Sequence, residues 1–353
     1  MDTVFLVVAL VVILAGAELF TNGIEWVGRK LRLGQGAVGS VLAAVGTALP
    51  ETMIPIIAIG FGGGGGHTDA VGIGAILGAP FMLSTLAMFV TGIGVIAFRR
   101  QRATATRMVV DTTVLVHDIR YFVIAYAIAV GAAFLPEGST LPRLVIAVVL
   151  VGIYAWYVKG HLDAEGHDDE EDLEPLRLHR LDRSGHRMDP DVPRMVVVAA
   201  QVILALLCII GGAYLFVGAV DRIAASAGVS ELLLALVIAP IATELPEKFN
   251  SLLWVRRGKD TLAMGNITGA MVFQSAIPTV VALVLAGDSW RVGPDSTLAF
   301  MSAAIAFVAV AAIFLPMWRT ARLDGRTLLV GGVLYAAYLG IVVGAVMGYV
   351  TVG

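Results

Sequence analysis

Ten stretches of this chain are apolar for long enough to cross a bilayer, and hydrocarbon restricts such stretches to helices because it offers no partner for an open N–H or C=O. They run Thr3 to Leu19, Gly36 to Gly60, Ala70 to Phe98, Ile119 to Leu135, Leu141 to Val158, Arg194 to Val217, Glu231 to Val255, Leu262 to Leu285, Ser296 to Phe314 and Leu328 to Val350. The fourth is short because Arg107 to His117 mixes charge with apolar residues, a pattern suited to the interface. Composition agrees: 58% of the 353 residues are hydrophobic and 14% are charged, so the bilayer is the solvent. The expected fold is an all-α membrane protein of ten transmembrane helices. A net charge of −3 gives no general attraction to nucleic acid. Met1 to Leu14 contains Asp2 and no positive leader, so it reads as the first span and not as a cleaved signal. The single cysteine, Cys208, lies in the apolar run Val202 to Ile210 and reads as packing.

Basic residues set the orientation, because cytoplasmic loops collect Lys and Arg. Alternate loops hold Arg29, Lys30 and Arg32; Arg99, Arg100, Arg102 and Arg107; Lys159, Arg177, Arg180, Arg183, Arg187 and Arg194; Arg256, Arg257 and Lys259; and Arg319, Arg322 and Arg326. The opposite loops hold only Arg143, Arg222 and Arg291. Both termini are therefore expected outside a cell (inner) membrane, with the long central loop in the cytoplasm. That loop, residues 159–193, separates a five-span unit at 1–158 from a second at 194–353. Its run His167-Asp168-Asp169-Glu170-Glu171-Asp172 has oxygen ligands that calcium can use. It lacks the glycine-punctuated spacing of an EF-hand loop and reads as solvated. His161, His179 and His186 show no metal-ligand spacing.

The two units are copies. Offset by 196 residues, Ala15 to Glu51 aligns without a gap on Gly211 to Glu247, including Thr47 on Thr243 and Leu49-Pro50-Glu51 on Leu245-Pro246-Glu247. At an offset of 191, Gly74-Ala75-Ile76-Leu77-Gly78-Ala79 falls on Gly265-Asn266-Ile267-Thr268-Gly269-Ala270. An odd number of spans per copy makes the repeats inverted, an arrangement that holds its site near the bilayer midplane on interrupted helices. Pro50 and Pro246 provide the interruptions, since each is expected to kink its helix and free a carbonyl, of Gly46 and Ala242 respectively.

An ionised carboxylate inside a span is costly unless paired or hydrated, so Glu51 and Glu247 are functional candidates. Thr47 and Thr243 lie one turn before them on the same helix face. Each hydroxyl could instead cap its own helix. Carboxylates, hydroxyls and freed carbonyls together form an all-oxygen shell suited to calcium or sodium and not to a soft metal. The Gly-x-x-x-Gly spacings at Gly74 to Gly78 and Gly265 to Gly269 allow close helix crossings, the second of which would carry Asn266 and Gln274 toward the glutamates. Gly34-Gln35-Gly36-Ala37-Val38-Gly39 matches a dinucleotide fingerprint only formally, with no strand before it.

Through Gly46-Thr47-Ala48-Leu49-Pro50-Glu51 and Ala242-Thr243-Glu244-Leu245-Pro246-Glu247, each followed by a Gly-x-x-x-Gly span, the chain resembles the sodium/calcium exchanger branch of the calcium/cation antiporter superfamily. The resemblance covers essentially the whole chain. It implies exchange of sodium or protons for calcium by alternating access, with Glu51 and Glu247 as calcium carboxylates and Thr47 and Thr243 as carbonyl and hydroxyl ligands. The chain departs from the family where Ala48 and Glu244 replace the usual Ser. It departs again where the third and eighth spans read Gly78-Ala79-Pro80 to Leu83 and Gly269-Ala270-Met271 to Gln274. The first copy is stripped of oxygen ligands and the second enriched.

Glu244 lies one turn before Glu247 and four residues before Lys248, a spacing that favours an ion pair. The pair is either a clamp on the broken helix or a titrating element favouring proton coupling. Glu18, aligned with Tyr214, could line an entry path or pair with a neighbouring helix. His117, Asp118 and Arg120 read as an interfacial cluster. The expected function is a secondary cation antiporter with a midplane site of Thr47, Glu51, Thr243, Glu244 and Glu247, backed by Glu18, Lys248, Asn266 and Gln274. The partners are inorganic cations, Ca2+, Na+ or H+, and the lipid bilayer. No cofactor beyond the transported ions is called for, and a monomer is compatible. Na+/H+ exchange and an ion-binding regulator without turnover are the alternatives. No His-Glu-x-x-His and no nucleophile with a facing base suggests an enzyme.

Overall fold

The computed structural model describes residues 2–48, 52, 66–164, 173–179, 193–226, 244–293 and 296–346. Helix α1 (Asp2–Leu31) leads to a π-helical segment, Ala37–Ala43, that continues into the short α2 (Ala44–Thr47). Helix α3 (Gly66–Met82) passes through a second π-helical segment, Leu83–Ala87, into α4 (Met88–Ala97). Helices α5 (Thr112–Gly131) and α6 (Thr140–Asp163) complete the first half. The second half contains α7 (Met195–Ser226), α8 (Leu245–Arg256), α9 (Asp260–Leu285), α10 (Thr297–Thr320) and α11 (Leu329–Val346).

Seven of the described helices are long and apolar enough to cross a membrane, and two shorter apolar ones lie at 37–47 and 329–345. The fold is therefore an all-α membrane protein. Leu144, Val148 and Val151 on α6, and Ile203 and Leu207 on α7, are exposed apolar side chains, as a lipid-facing surface requires. Helix α9 is the opposite case. Every residue from Asp260 through Ala276 is buried, against α2, α3, α5, α6 and α8.

Two expectations need correction. Helix α5 begins at Thr112 and not at Ile119, because Asp111 caps it, its Oδ1 accepting from the Thr113 and Val114 amides at 2.8 and 3.4 Å. Pro246 stands in the first turn of α8 and not within a helix interior, so its missing N–H costs nothing, while the Ala242 carbonyl it was expected to free lies outside the described residues. The corresponding reading of Pro50 lies outside the described residues. Departures from α-helical geometry that the sequence did not signal are the two π-helical segments, the second directly after Pro80 within α3.

The loops gather at two ends of the bundle. Strands β1 (Arg107–Met108) and β2 (Leu323–Asp324) pair antiparallel and join the loop after α4 to the loop after α10. At that end a buried Arg102 forks onto both Asp260 oxygens at 2.8 and 2.6 Å, fixing the first turn of α9. Residues 173–179 are also tied to helices. The Glu174 carbonyl accepts from Trp26 Nε1 at 3.0 Å, and the Leu178 amide donates to Gln201 Oε1 at 2.8 Å. Elsewhere Arg143 and the Gly138 amide both donate to Asp288, joining the loop after α5 to the loop after α9.

Candidate cation site

Helix α9 packs against elements of both halves. A Cβ at Gly269 would overlap the Ser40 backbone, and one at Gly265 would crowd the Ser40 hydroxyl, so only glycines let the π-helical segment lie this close. Among the described residues, a Cβ at Gly78 would meet nothing within 4 Å.

This crossing brings Thr47 and Asn266 together. Thr47 Oγ1 lies 3.3 Å from Asn266 Oδ1, and Asn266 Nδ2 donates to the Glu247 carbonyl at 3.3 Å. A continuous polar chain therefore runs from the first half, through α9, to the Leu-Pro-Glu segment of the second. Thr47 also faces the Ala43 and Ala44 carbonyls at 3.1 and 3.4 Å, so its single hydroxyl proton has three acceptors, and the helix-capping alternative is part of the same geometry. Thr47, Glu247 and Asn266 are each 0% exposed.

Glu247 sits in the first turn of α8, where the helix dipole favours a negative charge. Lys248 Nζ donates to Glu244 Oε2 at 2.9 Å, both side chains being buried. This is the i,i+4 pair that the spacing predicts. Among the described residues, the other oxygen, Glu244 Oε1, is buried without a hydrogen-bond partner. So are both amide atoms of Asn250, one turn beyond Glu247, a residue the sequence reading did not single out. Gln274 is buried on α9. Ser251 Oγ donates to the Ala263 carbonyl at 3.0 Å and holds α8 against α9. Glu51 and Thr243 lie outside the described residues, as does the acidic run His167 to Asp172. Among the described residues no three His, Cys, Asp or Glu side chains gather in a metal-binding group. What gathers instead is a carboxylate, hydroxyl and amide set, hard in character and weak in net charge.

Glu18 takes the second of its two expected roles. Its Oε1 accepts from Arg177 at 2.8 Å and from Arg257 at 3.1 Å, in a network with Glu174. Glu25 belongs to the same end, accepting from Lys259 at 2.7 Å and from Trp254 at 2.7 Å. The interfacial reading of Asp118 is overturned: the residue is 0% exposed, and its oxygens accept from Ser40, Tyr157, His161 and Thr268. The sequence gives no local sign of this, since three other segments supply the donors.

Comparison with known proteins places this architecture. The chain is 27% identical over 342 residues to "Putative antiporter CaxA" of Alkalimonas amylolytica, covering 94% of this chain and 97% of that protein. It is 21% identical over 270 residues to an uncharacterised membrane protein of Methanocaldococcus jannaschii, covering 76% of each. Its fold matches that of the sodium-calcium exchanger NCX_Mj with a TM-score of 0.70 at 17% identity, over 96% of this chain and 97% of that one. A second structure of NCX_Mj, soaked with 2.5 mM Na+ and 1 mM Sr2+, gives 0.71 at 18% identity over 96% and 97%. The family model described as sodium/calcium exchanger protein matches residues 1–160 and 197–347. The chain belongs to the sodium/calcium exchanger family.

Proposed function

We propose that the chain is a secondary cation antiporter that exchanges Ca2+, or another hard cation, for Na+ or H+ by alternating access. The reading places ten spans in two inverted five-helix repeats, residues 1–158 and 194–353, joined by a cytoplasmic linker, in the inner membrane with both termini outside. The observation that carries it is the buried chain Thr47–Asn266–Glu247, which joins ligand types from both halves on one crossing. The basic loops after α4 and α10, paired through β1 and β2, support the orientation.

The charge balance narrows the stoichiometry. Lys248 neutralises Glu244, so on this reading the ion's charge is balanced by Glu51 and Glu247, the acids of the two Leu-Pro-Glu triplets. Two negative charges match one divalent or two monovalent cations, since surplus charge buried in hydrocarbon is costly. Ala48 and Leu83, both 0% exposed, contribute no side-chain oxygen to the first copy. The cargo is therefore small: one divalent ion against two monovalent ones is the exchange this set balances.

The test is uptake of Ca2+ into proteoliposomes against imposed Na+ or pH gradients, with wild type, Glu51→Gln and Glu247→Gln. Each substitution removes a charge partner of the ion, so a flux loss of roughly 100-fold or more is expected. Unchanged flux in both variants would overturn the site.

A further inference from the structure

The chain holds a second buried polar centre, and nothing in the antiport reading uses it. Asp118 Oδ2 accepts from Ser40 Oγ at 2.7 Å and Thr268 Oγ1 at 2.5 Å, and Oδ1 from Tyr157 OH at 3.0 Å. His161 Nε2 lies 2.8 Å from Oδ1. The donors come from the π-helical segment, α9 and α6, while Asp118 itself is on α5. Two neutral contacts compete for the same protons: Tyr157 OH also faces the Ser40 carbonyl at 3.1 Å and Thr268 Oγ1 the Met264 carbonyl at 3.0 Å. The hydrogen-bond set can therefore rearrange when a proton is added, without leaving an oxygen bare.

Beside it lies a second imidazole. The His117 ring stands edge-on to His161, centroids 4.8 Å apart, and 5.5 Å from Tyr157. Its ring also hydrogen-bonds the main chain of Tyr157, and its Nε2 is buried with no hydrogen-bond partner. A ring nitrogen without a partner can give or take one hydrogen bond, depending on the tautomer.

We propose that Asp118 and His161 form a proton-binding site, with His117 as its relay to water. One proton is shared between Asp118 Oδ1 and His161 Nε2, and it enters from the end of the bundle carrying β1 and β2. The route is short: Asp118 lies six residues into α5, about 9 Å along its axis, and His161 two residues before the end of α6. The ionisable groups around the pair are His117, Arg120 and Tyr121 on α5 and Tyr154, Tyr157, Lys159 and Asp163 on α6, with Lys159 turned onto Trp156. The π-helical segment and α9 present only the hydroxyls of Ser40 and Thr268 to it, Asp260 being held by Arg102, and α10 carries only Arg319 in its last turn. Ser40 is seven residues before Thr47 on one continuous helix, and Thr268 two residues after Asn266. The proton count at Asp118 thus sets how firmly the two site-bearing helices are held together, and so the rate of exchange. This second step rests on the antiport reading; the proton site does not.

The experiment has one arm for each. Full-length protein with isotope-labelled histidine is titrated in detergent from about pH 5 to 9 by NMR. The His161 signal is expected to change across this range in wild type and to follow a different course in Asp118→Asn. A His161 signal constant over this range, or identical in both proteins, overturns the proton site even if no cation flux is found. Should Asp118→Asn not fold, Thr268→Val, which removes one donor, replaces it in the same comparison. In proteoliposomes, His161→Gln is expected to flatten the pH profile of cation flux while leaving flux at one end of the range near wild type. A wild-type pH profile in His161→Gln overturns the control of exchange.

Discussion

The two buried acidic centres differ in how completely their polar atoms are satisfied. At Asp118 both oxygens are met by donors from three other segments. Among the described residues around Glu244, Glu244 Oε1 and both amide atoms of Asn250 are buried without a hydrogen-bond partner. A buried polar group left unmet costs about 1–3 kcal/mol. A fold retains such groups where something other than the fold meets them. The contrast fits the proposals made above, in which the saturated centre holds helices and a proton and the unsaturated one an ion.

Lys248 gives the largest effect by which this contrast can be broken. Its ammonium is the charge partner of Glu244, so Lys248→Met leaves a carboxylate buried and uncompensated, a loss of about 3–5 kcal/mol. Adding Glu244→Gln is expected to restore most of it, because an uncharged pair needs no counter-charge. Thermal or denaturant unfolding in detergent reads both variants. A loss under about 1 kcal/mol in the single variant would mean that the pair behaves as an exposed one, and that water fills the centre.

How much of this was legible depends on whether the signal was local. The helices follow from apolar run length, and the Glu244–Lys248 pair from i,i+4 spacing, because both are properties of a single segment. The start of α5 was readable in Asp111-Thr112-Thr113 as a cap, but the mixture of charged and apolar residues from Arg107 to His117 drew the boundary inward. The burial of Asp118 was not readable. Its four donors are 78, 150, 39 and 43 residues away, and no pattern along α5 announces them. Asn250 looked like any polar residue at a helix surface; only packing shows that its amide faces no partner. Glu51 and Thr243 fall outside the described residues, so their place in the site rests on the repeat.

A middle-sized effect separates the centres directly. Ser40→Ala or Thr268→Val removes a donor from a saturated carboxylate and is expected to cost about 1–3 kcal/mol of stability. Asn250→Leu removes no hydrogen bond present here, so stability should hold or rise. Cation affinity should instead fall about tenfold, or ~1.4 kcal/mol, read from the cation concentration needed to raise Tm. If Asn250→Leu unfolds the protein as readily as Ser40→Ala does, its amide is structural and the contrast fails.

A third carboxylate, on the surface, sharpens the comparison with the smallest effect. Asp288 is satisfied much as Asp118 is, by the Gly138 amide and the Arg143 guanidinium, but its side chain is 70% exposed. The Gly138 amide first, and Arg143 next, hold its carboxyl below the usual carboxylate value. The folded pKa lies below the unfolded one, so the stabilisation is fully present above the unfolded value of about 3.9 and is lost as pH falls through the folded value. Asp288→Asn is thus expected to lower Tm slightly near neutral pH, and the two proteins should converge as pH drops toward about 2. Water around Asp288 screens its partners and can replace them, which keeps the gap small. A gap as large as that of Ser40→Ala would mean that satisfaction alone, and not burial, sets the worth of an acidic centre in this fold.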